Sequence, residues 1–534
     1  MTRPSLLRST MSFTGGTFVS RILGLVREVV FSTVFGVSAA TDAFWVAFRI
    51  PNFMRRLFAE GSFSTAFVPA LTEMKEKGSE QDLRLMIARV SGTLGAVLLV
   101  ITALGVLFAP QVASLFATEA QDGPAKLQLT SDLLRITFPF LLFISLTAMA
   151  GAVLNTFHRF AIPAITPVIM NLCMIAAALW WAPHFQVPVE SMAWAILVAG
   201  VLQLAVQLPA LARLGLLAWP RWGWQAPEVR KVMRLMVPTL FGSSVAQVNL
   251  LFDTLIAAYL ITGSQSWLTQ SDRLLEFPLG MFGVALGTVI LPSLSRHFVN
   301  TDHAGFSRAL DWGLRSTLLI AVPAMVGLVL LAEPLIATLL QHGAFSAHDT
   351  RMAALSLSGL SLGLPAFALV KVLAPAFFAR QDTRTPVRAG VAAMVANMVL
   401  NGLFLALLFW LWHQPEDLSQ GWLHGLSQVP GLHLALALAS AMASYLNLAM
   451  LWRALHRDGI YQREPGWMRF WLRLAVACTV MAVLLVAGRL LWPEWGVALW
   501  TRIWHLAILV AGGGLSYVAI LFAMGFRINQ LRGV

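Results

Sequence analysis

Charge is what this 534-residue chain has least of: Asp, Glu, Lys and Arg make up 12% of it, about half the share of a soluble domain. Lysine is nearly absent, at five residues, and the two cysteines, Cys173 and Cys478, each sit inside an apolar run. No disulfide framework is therefore expected, and the cysteines carry no information on redox compartment. No Gly-x-x-x-x-Gly-Lys-Ser/Thr run exists, which excludes a P-loop ATPase. No His-Glu-x-x-His, no cysteine-containing metal set and no Gly-x-Ser-x-Gly elbow occurs, so neither a metal, a cofactor nor a catalytic residue is expected. His342 and His348 share one loop and read as a solvated pair. Arg3 and Arg8 precede a Gly-containing span rather than a short apolar run with a small-residue cleavage site, so no cleavable signal peptide is expected.

Long apolar runs fill the space that charge leaves. Hydrophobic residues are 58% of the chain, and the mean hydropathy is +0.74. That composition excludes a cytosolic enzyme and a disordered chain and leaves an all-α polytopic membrane protein. Runs bounded by charged or Pro/Gly-rich breaks fall at 13–35, 41–71, 90–117, 131–155, 161–182, 190–213, 232–262, 267–295, 309–332, 351–378, 388–412, 432–455, 470–491 and 500–524, which predicts fourteen transmembrane helices. Of the 37 Lys and Arg, 24 fall in alternate loops counted from the N-terminus. The opposite loops hold only Lys126, Arg351, Arg489 and Arg502. By the positive-inside rule both termini are cytoplasmic. The same asymmetry accounts for most of the net charge of +12, so no nucleic-acid partner is needed.

Three segments recur at an offset of 223 or 224 residues: Phe67–Leu71 as Ile290–Leu294, Ala109-Pro110 as Glu333-Pro334, and the break ending at Pro163 as the break ending at Pro386. The offset spans an even number of helices, so the copies run parallel. This predicts two six-helix lobes, 1–225 and 226–456, with substrate between them, and two additional helices in 457–534 outside the repeat.

Nine basic residues remain inside the runs: Arg21, Arg27, Arg49, Arg55, Arg56, Arg135, Arg273, Arg315 and Lys371. Each costs about 2.5–3.5 kcal/mol at a helix centre, less near an interface. Five lie in the first two runs against three acids, Glu28, Asp42 and Glu60. In the second copy three bases are matched by Asp253, Asp272 and Glu276. Structural ion pairs are one reading, since Arg56/Glu60 and Arg273/Glu276 have helical pairing spacings. Arg49 and Arg56 also suit snorkelling to an interface. The other reading is a cavity whose surplus arginines await an anion, and their planar forks favour a phosphate or pyrophosphate. Glycines and prolines punctuate the same runs, at Gly15, Gly16, Gly24 and Pro51 and again at Pro278, Gly280, Gly283 and Gly287, as suits helices that bend during alternating access.

Ser20-Arg-Ile-Leu-Gly-Leu-Val-Arg27, Ala40-Thr-Asp-Ala-Phe44 and Pro51 through Ser64 resemble the opening of the MurJ (MviN) lipid II flippases. So do Asp272-Arg-Leu-Leu-Glu-Phe-Pro278, Gly283–Thr288, Val370–Pro375 and Arg380–Pro386, and the likeness runs in order over nearly the whole chain. The family belongs to the MOP exporter superfamily. The resemblance implies two six-helix lobes around a cavity, with two trailing helices that form a groove for the lipid tail. It implies movement of undecaprenyl-pyrophosphate-linked peptidoglycan precursor from the cytoplasmic to the periplasmic leaflet of the bacterial inner membrane. The family's cavity arginines fall on Arg21, Arg27, Arg55 and Arg273, and its acid on the second helix falls on Asp42. Arg27 and Arg273 are the strongest candidates for pyrophosphate contacts. Asp42, Glu60, Asp272 and Glu276 are expected to orient arginines or close a gate.

Transport against a gradient needs coupling to Na⁺, H⁺ or the membrane potential. Asp253, with Asn397 and Asn401 at i,i+4, offers hard oxygen ligands for a small cation, while the same groups suit interhelical hydrogen bonding. Besides lipid II and membrane lipids, peptidoglycan glycosyltransferases are candidate partners. The competing readings are a polysaccharide-repeat flippase, a MATE-type drug antiporter and a non-transporting cell-wall scaffold. A MATE-type cavity would be acidic, a polysaccharide flippase would not call for the trailing helices, and a scaffold would have no use for the arginines.

Overall fold

The computed structural model describes residues 6–56, 62–116, 119–280, 284–413, 421–493, 495 and 498–527; side chains are described at all of these except 6–18, 62, 64–65, 119–123, 237–246, 284–289 and 423. Every regular element among the described residues is a helix. In chain order these are α1 (Leu6–Phe35), α2 (Ala39–Arg55), α3 (Ser62–Lys77), α4 (Glu80–Leu107), α5 (Ala109–Phe116), α6 (Glu119–Thr137), α7 (Phe140–Thr156), α8 (Ala161–Ala176), α9 (Glu190–Arg213) and α10 (Pro227–Ala257). They continue as α11 (Ser264–Pro278), α12 (Val284–Val299), α13 (His303–Leu330), α14 (Ala332–Leu339), α15 (Ala347–Ser361), α16 (Leu364–Phe378), α17 (Arg384–Trp412), α18 (Trp422–Gln428), α19 (Leu434–Arg457), α20 (Trp467–Leu491) and α21 (Leu499–Ala523).

Among the described residues, nine helices are long and apolar enough to cross a membrane, and α15 with α16 makes a tenth if that pair, bent by 40°, is one span. The four other expected runs, 13–35, 41–71, 232–262 and 267–295, fall on helices that break or whose side chains are described only in part. Six of the nine bases inside the runs, Arg21, Arg27, Arg49, Arg55, Arg56 and Arg273, fall on these four. Local chemistry sets many of the boundaries. Ser38 caps α2 in a reciprocal arrangement with Thr41, and Ser79/Asp82 and Ser346/Asp349 do the same for α4 and α15. Asp302 caps α13 by accepting from the Gly305 N–H at 2.8 Å, which holds its carboxyl below the usual carboxylate range.

The repeat offset of 223 residues carries the bounds of α4 (Glu80–Leu107) and α5 (Ala109–Phe116) onto those of α13 (His303–Leu330) and α14 (Ala332–Leu339). By packing, the chain forms two compact units, Met1–Ser266 and Trp267–Val534. Helix α10, the counterpart of α1 in the repeat, thus packs with the first unit, chiefly against α3. Ion pairs hold its first turns there, Arg89 to Glu228 at 2.7 Å and Lys231 to Glu73 at 2.5 Å. The first unit's core centres on Phe31, Phe44, Trp45 and Phe48, with the Phe31 and Trp45 rings 4.9 Å apart.

In the second unit the trailing helices are part of the core. Phe470, Leu474, Met481, Leu509 and Leu521 from α20 and α21 share a cluster with Leu314, Leu318 and Leu319 of α13, and the Tyr517 hydroxyl donates to the Leu319 carbonyl at 2.7 Å. Helix α17 shows how lipid sorts a helix. Val391, Val395, Val399, Leu403 and Leu407 form an exposed stripe with a four-residue repeat. Ala389, Ala393, Asn397, Asn401 and Leu405 form the buried one, and α17 packs chiefly against α19.

Lipid tails are as apolar as a protein core, so burial alone drives helices together weakly and close backbone approach matters more. Gly359 and Gly363 supply it against α19. A Cβ at Gly363 would stand 2.8 Å from the Ala441 Cα, and one at Gly359 would stand 3.0 Å from the Ala437 Cβ. Gly363→Leu should therefore lower the thermal midpoint of the purified protein, at a cost of about 1–3 kcal/mol for an overpacked contact. Gly402, where a Cβ would meet nothing within 4 Å, should tolerate alanine; equal losses at the two positions would show that the close approach is unimportant.

Candidate functional site

Helix α2 carries charge along its length. Asp42 near its start and Arg55 at its end are 13 residues apart, about 20 Å along the axis. Asp42 is 3% exposed. One carboxylate oxygen accepts from the Gly263 N–H at 2.7 Å, and the other accepts from the Ser266 N–H at 3.0 Å and the Ser266 hydroxyl at 2.7 Å. It thus caps the first turn of α11, where free N–H groups and the helix dipole favour an anion. Lys126 on α6, 8% exposed, adds a positive charge near the same carboxylate.

Midway along α2, Arg49 does not snorkel. Its Nη1 donates to the Thr254 hydroxyl at 2.6 Å and to Gln265 Oε1 at 3.5 Å, and Gln265 in turn donates to the Thr254 carbonyl. Arg49 and Asp42 therefore fasten α2 to the same connection between α10 and α11. At the end of the helix Arg55 Nε donates to Asn52 Oδ1 at 2.9 Å. The side chain of the adjacent Arg56 is half-buried and forms no hydrogen bond or ion pair with the described residues. Glu60, expected to pair with it, lies outside the described residues.

On α1, Arg27 is 8% exposed and ion-paired with Glu28, itself 5% exposed. Arg27 Nη1 also donates to Asn171 Oδ1 on α8 at 3.2 Å, and Asn171 Nδ2 donates to the Ser20 carbonyl at 3.1 Å. Arg27 is thus held by a neighbouring acid and an amide that is itself fixed. Arg21, one and a half turns earlier, is half-buried and makes no such bond among the described residues. Asp253, also in the first unit, lies 3.5 Å from Asn249 Nδ2 on the preceding turn of α10.

The second unit holds Arg273, Asp272, Glu276, Asn397 and Asn401. Arg273 and Glu276 pair at 3.3 Å on α11, with Glu276 exposed and Asp272 half-buried. Asn397 and Asn401 are 1% and 0% exposed on the buried stripe of α17. Two bases assigned to membrane depth have local partners instead: Arg135 pairs with Asp132 at 3.1 Å on an exposed face of α6, and Arg315 Nε stands 2.7 Å from Asp311.

Three of the four bases that break the loop asymmetry have structural partners. Besides Lys126, Arg489 donates to the Leu330 carbonyl at 2.8 Å and pairs with Glu333 at 3.3 Å, and Arg502 donates to the carbonyls of Ala337 at 2.9 Å and Gln341 at 3.1 Å. These carbonyls close α13 and α14, where the helix dipole favours a cation. Sequence reasoning missed Lys126, Asn171, Thr254, Gln265 and Ser266, which are separated in sequence from the charges they serve. It also missed Asp311, for which the i,i+4 spacing to Arg315 offered a signal.

A family model described as lipid II flippase MurJ matches residues 31–506. A Vibrio cholerae protein named probable lipid II flippase MurJ is 44% identical over 542 aligned positions, covering 99% of this chain and 98% of its own length. Among solved structures, a lipid II flippase MurJ in an inward closed conformation aligns with a TM-score of 0.77 at 26% identity, over 95% of this chain and 97% of that one. An inward-facing multidrug resistance MATE transporter of the MOP superfamily aligns with a TM-score of 0.64 at 12% identity, over 83% and 95% of the two chains, a likeness of fold alone.

Replacing Asp42 by alanine strips the cap from α11 and removes a carboxylate from beside buried Lys126. The expected cost is about 3 kcal/mol, read as a lower thermal midpoint in detergent. An unchanged midpoint would show that the first turn of α11 does not depend on this carboxylate.

Proposed function

This chain belongs to the lipid II flippase MurJ family, and we propose that it carries lipid II from the cytoplasmic to the periplasmic leaflet of the bacterial inner membrane by alternating access. It is a multi-pass membrane transporter, not an enzyme: flipping a lipid makes and breaks no covalent bond. The remaining details of the reading are fourteen spans with both termini cytoplasmic, two six-helix lobes, and a groove at α20 and α21 for the lipid tail. Handover of product to peptidoglycan glycosyltransferases belongs to the same reading.

The observation that carries the proposal is the setting of Arg27, a guanidinium at membrane depth held in one orientation by Asn171 and balanced by Glu28. A pyrophosphate bears more charge than a single carboxylate and offers oxygens matched to the guanidinium fork, so it can take over from Glu28 without Arg27 having to reorient. Arg21 and Arg55 in the first unit and Arg273 in the second are the other proposed pyrophosphate ligands. Asp272, Glu276 and Glu60 orient these arginines in the same scheme.

Asp42 is the proposed outer gate. Its bonds to Gly263 and Ser266 tie α2 to the start of α11, and releasing them exposes polar groups that only water can satisfy. Opening toward the periplasm therefore costs little once water enters and much before. Asp253, Asn397 and Asn401 are the proposed cation site, with the carboxylate as the charged ligand and the two amides as neutral ones.

Lipid II exposed on the outer face of cells in which this is the sole flippase, scored with an impermeant probe, tests the assignment. Depletion of the protein should abolish exposure while precursor accumulates inside, and intact exposure would overturn the flippase reading. Arg27→Ala/Arg273→Ala at matched expression should lower exposure about tenfold or more, since each guanidinium makes a charge-assisted bond to the pyrophosphate. Undiminished exposure would remove these arginines from the mechanism. Wild-type exposure should also depend on Na⁺ or pH, with the dependence lost in Asp253→Ala. Loss of activity in that variant without any such dependence in the wild type would defeat the cation site.

A further inference from the structure

The second unit carries another basic site, which the flippase reading does not use. A cleft of about 500 Å³ opens between α13, the connection from α19 to α20, the start of α20 and the end of α21. Arg308, Arg315, Arg469 and Arg473 line it, against the carboxylates of Asp311 and Glu464. Asp311 is 3% exposed and fully engaged. Its Oδ1 accepts from the Tyr461 hydroxyl at 2.5 Å and Trp467 Nε1 at 2.7 Å, and its Oδ2 faces Arg315 Nε at 2.7 Å. Arg315 is locked in turn. Its Nη2 donates to the carbonyls of Glu464 and Pro465 at 3.2 and 3.1 Å, and the guanidinium lies 5.0 Å from the centre of the Trp467 ring.

The other three arginines have no such arrangement. Apart from a through-space pull of Arg308 on Asp302, the side chains of Arg308, Arg469 and Arg473 make no hydrogen bond or ion pair among the described residues. Arg469 and Arg473 stand one turn apart on α20, where like charges repel. Arg469 also lies in the first turn of that helix, which has no acidic residue and no side-chain cap, so its charge opposes the dipole. An anion among the three guanidiniums would relieve this repulsion. Trp312, Leu319, Phe470, Leu521 and Phe526 give the cleft an apolar side. The charge asymmetry of the loops assigns this end of the helices to the cytoplasmic side.

We propose that the cleft binds the phosphodiester headgroup of an anionic phospholipid of the cytoplasmic leaflet, with an acyl chain against Phe470, Leu521 and Phe526. The three guanidiniums supply planar forks for the phosphate oxygens, and the apolar side distinguishes a lipid from a free anion. The headgroup bridges α13, through Arg308, to α20, through Arg469 and Arg473, and so joins the trailing helices to the unit they pack against.

The test uses the purified full-length chain in detergent, without lipid II, so its outcome does not depend on the flippase assignment. Retention of short-chain phosphatidylglycerol and phosphatidylethanolamine is compared by native mass spectrometry. The wild type should hold one phosphatidylglycerol about tenfold or more tighter than phosphatidylethanolamine, and Arg469→Gln/Arg473→Gln should bind the two alike, as expected when two cations leave an anionic headgroup. The lipid-free thermal midpoint of that variant should equal or exceed the wild type's, because a like-charge repulsion has been relieved. Should it fall instead, Arg308→Gln carries the test and should weaken the preference severalfold. Four results overturn the proposal: no preference in the wild type, an undiminished preference in both variants, displacement of the lipid by equimolar inorganic phosphate, or loss of binding in Arg27→Ala/Arg273→Ala.

Discussion

A bilayer offers no water to a buried polar group, and this constraint governs how the buried charges among the described residues are placed. Asp42 meets two backbone N–H groups and a hydroxyl at the start of α11. Arg27 meets Glu28 and a fixed amide, and Asp311 meets a tyrosine, a tryptophan and an arginine. Each of these groups would cost several kcal/mol if left alone in hydrocarbon. Where the partner comes from another element, as with Ser266 for Asp42, Asn171 for Arg27 and Trp467 for Asp311, the polar contact fastens helices that apolar packing alone would hold loosely.

The same constraint gives a transporter its means of moving. Polar bonds across a helix interface are stable while dry and exchangeable once wet, so a charged interface is bistable where an aliphatic one is not. The first two helices concentrate such interfaces: Asp42 and Arg49 tie α2 to the α10–α11 connection, and Arg27 ties α1 to α8. By contrast α17, with its aliphatic outer stripe and its buried asparagines against α19, has the plain two-sided pattern of a helix between lipid and protein.

The sequence repeat and the packing group the helices differently. The offset of 223 residues matches α4–α5 to α13–α14 end for end, down to the break after each long helix. Yet α10, which opens the expected second lobe, is packed with the first unit by Arg89–Glu228 and Lys231–Glu73. The trailing helices lie outside the repeat, but their side chains complete the core of the second unit.

Hydropathy and charge asymmetry, read along the sequence, determined that the chain is helical and crosses a membrane, and ordered motifs determined its family. These are properties of composition and of residues within a turn or a run of one another, so no tertiary information is needed. Local pairing was legible for the same reason: Arg273/Glu276 follows from helical spacing alone, whereas Arg315, set against more distant acids by charge count, pairs with Asp311 one turn away. The tertiary structure decided the rest. Lys126 sits in an outer-loop stretch by sequence and beside Asp42 in space, and Arg49 passes for a snorkelling residue until Thr254 and Gln265 are seen opposite it. Arg489 and Arg502 break the loop asymmetry until the open carbonyls at the ends of α13 and α14 are placed against them. Such partners are 84 to more than 200 residues apart, and which of them meet depends on the depth and rotation of each helix against its neighbours, a quantity that no local pattern encodes.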